Sequence, residues 1–107
     1  MRVISQDGTM DFPYEISTIF IYPRIENVIA IQSAGDSEIS IIGRYSSKAK
    51  AIKAMEMLRK VYEDNEFYHY MSTTDTFEKA TSCLSNEEFK ELTSEYFQFP
   101  QDDEIEV

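Results

Sequence analysis

Residues 45–62 read YSSKAKAIKAMEMLRKVY. Ala51, Ala54, Met55, Leu58 and Tyr62 recur at three- and four-residue steps, and Ile52 and Val61 widen that stripe. Lys50, Lys53, Glu56 and Lys60 fall largely on the other side. This pattern is one apolar face on a helix of about four to five turns. Ser46 or Ser47 caps it, because a serine oxygen accepts a bond from an otherwise unpaired first-turn N–H. Glu56 precedes Lys60 by four residues, the favourable order for a surface pair. Such a stripe is stable only against a partner surface, which the residues before it supply.

Upstream, the sequence reads as short strands separated by turns. RVIS at residues 2–5 is a strand, Gln6-Asp7-Gly8 a turn, and residues 9–14 an edge segment in which Pro13 lacks an N–H. Ile16 to Tyr22 is strand-like, with Ile19 and Ile21 facing one way and Thr18, Phe20 and Tyr22 the other. Residues 23–27 turn the chain, Val28 to Ser33 runs back, and Ala34-Gly35-Asp36 turns it again. Glu38 to Tyr45 follows, with Ile39 and Ile41 on one face and Ser40, Ile42 and Arg44 on the other. Turns at such short intervals favour an antiparallel meander over βαβ crossovers.

Beyond the helix the periodicity weakens. Phe67 to Met71 reads as a further strand and Ser72 to Ser82 as a long loop. Ser85 and Glu88 form an S-x-x-E capping box that opens a second helix. YFQFP at residues 96–100 is a final aromatic strand, followed by a frayed acidic tail whose Ile105 and Val107 are able to dock at a sheet edge. The expected fold is α+β: an antiparallel β-meander (1–45), one long amphipathic helix packed on one face (46–64), a loop region (65–84), a second short helix (85–96), and a C-terminal strand with its tail (97–107). A chain of 107 residues is expected to form one domain.

Composition narrows the functional classes. Residues 1–60 carry eight Lys/Arg and seven Asp/Glu, whereas residues 61–107 carry two and thirteen. A net charge of −10 argues against binding to a DNA backbone, which needs a basic face. The acidic half reads either as a solubilising surface or as a nucleic-acid mimic. No run approaches the roughly 18 apolar residues of a membrane span. Cys83 is the single cysteine, so no internal disulfide forms, and a cytoplasmic location is expected.

Catalytic signals are sparse. His69 is the only histidine, and Cys83 lacks a nearby basic partner in sequence. There is no P-loop, G-x-G-x-x-G or G-x-S-x-G, so neither an enzyme nor a resident cofactor or metal is expected. The junction Gly43-Arg44-Tyr45-Ser46-Ser47-Lys48 reads either as an ordinary capped helix start or as an anion seat, with Lys48 beside the helix's positive end. Arg24, at a turn tip, reads either as a solvated arginine or as a phosphate clamp. Phe67, Tyr68, Tyr70, Phe97 and Phe99 are rings able to stack on an adenine, although two or three of the five are expected in the core.

The opening MRVISQDGTMDFPYE, the junction RYSSKAKAIKAMEMLRKVY and the ending YFQFPQDDEIEV together resemble a family of small phage and prophage proteins of Gram-positive bacteria, the Thoeris anti-defence sponge proteins, type one. The resemblance covers both ends and the main helix, and residues 65–95 lie outside it. It implies a β-sheet with helices and a non-enzymatic role in the cytoplasm of an infected bacterial host. Such proteins bind a cyclic ADP-ribose isomer and hold it uncleaved, as dimers or higher assemblies. The family's pocket uses arginines, an aromatic residue and an amide, which points to Arg24, Arg44, Phe97, Gln98 and Phe99, with Lys48 and Tyr70 as further ligand-binding candidates. The expected partner is thus a small-molecule nucleotide signal, with a homo-oligomer and neither membrane nor DNA. The competing expectation is an acidic, protein-binding inhibitor of a host defence protein.

Overall fold

A computed structural model describes residues 1–71 and 96–107. In chain order the elements are β1 (Arg2–Ile4), β2 (Asp11–Pro13), β3 (Ser17–Ile21), β4 (Val28–Ser33), β5 (Ser40–Arg44), α1 (Lys48–Met71) and β6 (Tyr96–Gln98). Short 3₁₀ turns occupy Tyr14–Ile16 and Asp102–Glu104. The protein is α+β, as its periodicities predict. Strands β3, β4 and β5 form an antiparallel meander, in which Ile19 pairs with Ile31 and Ile21 with Ile29.

Helix α1 lies on one face of that meander. Ile29, Ile31 and Ile42 join Ala51, Ala54 and Leu58 in one buried cluster, with Ile19, Ile21, Met55 and Val61 packed around it. The small side chains of Ala51 and Ala54 allow close approach to the sheet, and both are fully buried. A bulge separates Ile29, which pairs with Gly43, from Ala30, which pairs with Ile41. The extra residue, Ile42, is buried in the core, whereas Ile39 remains 41% exposed. A bulge breaks strict alternation in this way, which sequence periodicity alone does not register.

A second sheet holds the two ends of the chain, in the order β2-β1-β6. β1 is antiparallel to β2 but parallel to β6, and Val3 lies opposite both Phe12 and Phe97. Val3 is fully buried there. The Gln6-Asp7-Gly8 turn forms as expected. Gly8 adopts φ +76, and the Asp7 carboxylate accepts bonds from the Ser5 hydroxyl and from both the N–H and the hydroxyl of Thr9. The two sheets meet where the Gln6 N–H donates to the Ile42 carbonyl at 2.7 Å.

Both ends of α1 differ from the sequence expectation. α1 begins at Lys48, with Ser47 as its cap: the Ser47 hydroxyl accepts the Lys50 N–H at 3.2 Å. At its other end α1 continues through Met71, so residues 65–71 are helix and neither loop nor strand. The reason is local, since YEDNEFYHYM contains no glycine, proline or β-branched residue to stop the helix. The tail is also more ordered than its acidity suggests. Ile105 is buried at 4% exposure, whereas Val107 is 75% exposed. The expected loop at 72–84, Cys83, and the Ser85–Glu88 capping box with the second helix as far as residue 95 lie outside the described residues.

Candidate functional site

The three segments quoted for the resemblance form one bonded unit. β1 pairs with β6, and the Gln6 side chain accepts the Arg44 N–H while donating to the carbonyls of Arg44 and Pro100. The Gln101 amide donates to the Gln6 carbonyl, and the Tyr45 hydroxyl donates to that of Pro100 at 2.8 Å. Burial pushes the Tyr45 phenol well above its ordinary pKa, with Asp102 and Glu104 adding to the effect.

Arg24, Arg44 and Lys48 are gathered at one end of the meander. The 23–27 turn sits against the junction between β5 and α1, because the Tyr45 N–H donates to the Asn27 carbonyl and the Asn27 amide donates to the Tyr45 carbonyl at 2.6 Å. Arg44 lies opposite Val28, and the Tyr22 N–H bonds the Val28 carbonyl, so Tyr22, Val28 and Arg44 form one row across the sheet. The Lys48 ammonium lies 3.5 Å from Glu26, whereas neither guanidinium is engaged by another described residue. Tyr22 was not among the sequence candidates. It is a ring brought into the same row as Arg44, one strand beyond Val28, by strand register, which spacing along the chain does not reveal.

The helix entrance itself is already occupied. Asp102 accepts the Ser46 N–H at 2.7 Å, and Lys50 lies 3.3 Å from the same carboxylate. These bonds, that of the Ser46 N–H first, hold the Asp102 carboxyl below its usual range. Of the two readings of this junction, the capped start holds through Ser47, and the anion beside the positive end of α1 is the chain's own Asp102 side chain. The hollow beside Arg44, about 180 Å³, is lined by Gln6 and Asp7 and is smaller than ordinary ligand sites of about 300–1,000 Å³.

The remaining candidates are placed elsewhere. Phe97 and Phe99 are core residues at 7% and 1% exposure, packed edge to face at 5.2 Å. Their rings offer no open face to a base, because alternation along β6 turns both inward and Gln98 outward. Gln98 is exposed beside Gly8, where a β-carbon would come within 3.3 Å of its amide nitrogen. Tyr70 is 68% exposed near the far end of α1. It stands 22 residues beyond Lys48, about 33 Å along the helix, so the two cannot share one small ligand within a subunit. The seven sequence candidates therefore do not converge. Three lie on the turn and the junction at one end of the meander, one lies beside Gly8, two lie in the core and one at the distal end.

Among the described residues, no group of three His, Cys, Asp or Glu side chains is placed to hold a metal ion. Among them, no helix is long and apolar enough to cross a membrane. Comparison with protein-family models, with curated proteins and with solved structures gave no match.

Proposed function

We propose that the protein is a binding module that captures a cyclic nucleotide signal of the cyclic ADP-ribose type and retains it uncleaved. In an infected bacterium it thereby keeps the downstream defence effector off. The observation supporting this reading is the end of the meander where the 23–27 turn, which carries Arg24, sits against the junction that carries Arg44 and Lys48, with neither guanidinium engaged by another described residue. Guanidinium groups clamp phosphate oxygens in pairs, and a tyrosine ring stacks on a base. A sponge needs affinity without turnover, and roughly nanomolar binding corresponds to about 12 kcal/mol. Assembly of two or more subunits would bring two such ends together and close the site from water, which strengthens each charged contact.

The direct test is calorimetric titration of the intact protein with a cyclic ADP-ribose isomer, followed by denaturation and analysis of the released ligand. Tight binding and intact recovered ligand are expected. Arg24→Gln and Arg44→Gln should each weaken binding roughly tenfold or more, since a charge-assisted contact contributes about 1.5–3 kcal/mol. Absence of binding across a panel of such isomers, or recovery of a cleaved product, defeats the reading.

The acidic-inhibitor alternative finds no continuous charged track among the described residues. The described carboxylates of the second half fall into two groups, Glu63, Asp64 and Glu66 on α1 and Asp102 to Glu106 in the tail. The tail group sits at the entrance of α1 through Asp102, and Glu63 lies about 22 Å further along that helix. A nucleic-acid mimic needs one continuous charged track.

A further inference from the structure

A different cleft opens where α1 passes the edge of β3 that faces away from β4. Among the described residues β3 pairs with β4 alone, and the 3₁₀ turn Tyr14–Ile16 folds against α1, where the Tyr14 and Tyr62 rings pack with centroids 4.4 Å apart. Between them lies a space of about 500 Å³, within the usual range for small-molecule sites. Its helix side is a strip at three- and four-residue steps, Met55, Leu58, Arg59 and Tyr62, and its strand side includes Thr18. The strip presents an apolar floor, a ring pair, a hydroxyl and one guanidinium within one opening.

The charge balance of this cleft is unusual for so acidic a chain. The Arg59 guanidinium is engaged by no other described residue, although Glu63 stands one helical turn further on. The carboxylate at the rim, Glu15, is taken by the N-terminal ammonium of Met1, and that bond holds its carboxyl below the usual range. The Glu15 charge is therefore compensated, and Arg59 is the one cation among the residues lining the opening, while the Glu66 carboxylate beyond the lining accepts a hydrogen bond from the Tyr62 hydroxyl. A guanidinium with no partner among the described residues, beside two tyrosine rings, suits a flat aromatic group bearing one anion.

We propose that this cleft is a ligand site separate from the Arg24–Arg44 end, and that it takes a nucleoside monophosphate. The base packs on the Tyr14–Tyr62 pair, the phosphate pairs with Arg59, and the Thr18 hydroxyl meets the sugar. One cation sets the preference for a single phosphate, and the ring pair sets the requirement for a base.

The test titrates the intact protein with AMP, adenosine and inorganic phosphate, followed by calorimetry and by amide NMR shifts. AMP is expected to bind saturably, with adenosine and phosphate each roughly tenfold weaker or more, since each lacks one of the two contacts. Arg59→Gln, at an exposed helix position, should reduce AMP affinity by a similar factor while Arg44→Gln leaves it unchanged. The shifts should centre on Thr18 and Arg59 and spare Gln6 and Arg44. AMP that binds no better than phosphate, undiminished binding to Arg59→Gln, or shifts centred on the Arg44 end would each overturn the proposal. None of these outcomes depends on whether the cyclic signal binds at the junction.

Discussion

At the scale of single residues, the chain relies on carboxylates held ionised by local donors. The Asp7 carboxyl is lowered to about 2, chiefly by the Ser5 hydroxyl and then by Thr9. Asp102 is lowered by the Ser46 N–H, and Glu15 by the N-terminal ammonium. In each case folding favours the charged form. Their contribution is therefore complete above the ordinary carboxyl range of about 4 and is lost as pH falls through the lowered values. The urea midpoint should drop between pH 6 and pH 2.5, and the drop should shrink in the Asp7→Asn/Asp102→Asn double variant. An unchanged acid profile in that variant would assign the acid sensitivity elsewhere. The local half of this network was legible, since Asp-Gly marks the turn. The role of Asp102 was not, because a DDE run reads as solvated charge until Ser46 and Lys50 are brought to it across more than fifty residues.

At the scale of elements, α1 is the clearest case of partial legibility. Its apolar face and its serine cap are written in adjacent residues, so both follow from spacing. Its end is not, because aromatic residues at 67–70 suit a strand by propensity and a helix by continuity. Continuity prevails because chain already in a helix adds each residue at low cost. Its 24 residues span about 36 Å, beyond the roughly 20 Å of a six-residue strand such as β4. Glu66→Pro separates the two readings, since this exposed position tolerates proline in a loop but not inside a helix. A loss of about 3 kcal/mol in urea unfolding is expected, and a loss near zero would contradict a continuous α1. Arg59 shows the corresponding limit for function. It sits at the edge of the apolar stripe, where a sequence reading sees one more solvated cation. Only the packing of α1 beside the β3 edge gives it two tyrosines as neighbours.

At the scale of the whole molecule, the fold depends on joining its two ends. Phe97, Phe99 and Ile105 belong to the same buried cluster as Val3, Ile29 and Leu58. Burying each such side chain contributes about 1.5–3 kcal/mol, against a typical total margin of about 5–15 kcal/mol. Removing residues 96–107 should therefore abolish the cooperative thermal transition seen by circular dichroism, and a truncated chain that still melts sharply would show that the meander and α1 suffice. The meander itself was readable because its partners are neighbours in sequence. The β1–β6 pairing was not, since two three-residue strands carry too little pattern to choose each other over so long a separation.

That pairing has a mechanical consequence. β1 is entered from Met1 and β6 is left toward Val107, and the two strands point the same way. Tension applied through the flanking ends slides one strand lengthwise along the other, so their inter-strand bonds carry the load together instead of parting one by one. The same pull leaves the β3–β4–β5 hairpins slack until β6 shears free, which makes a pair of three-residue strands the force-bearing clamp.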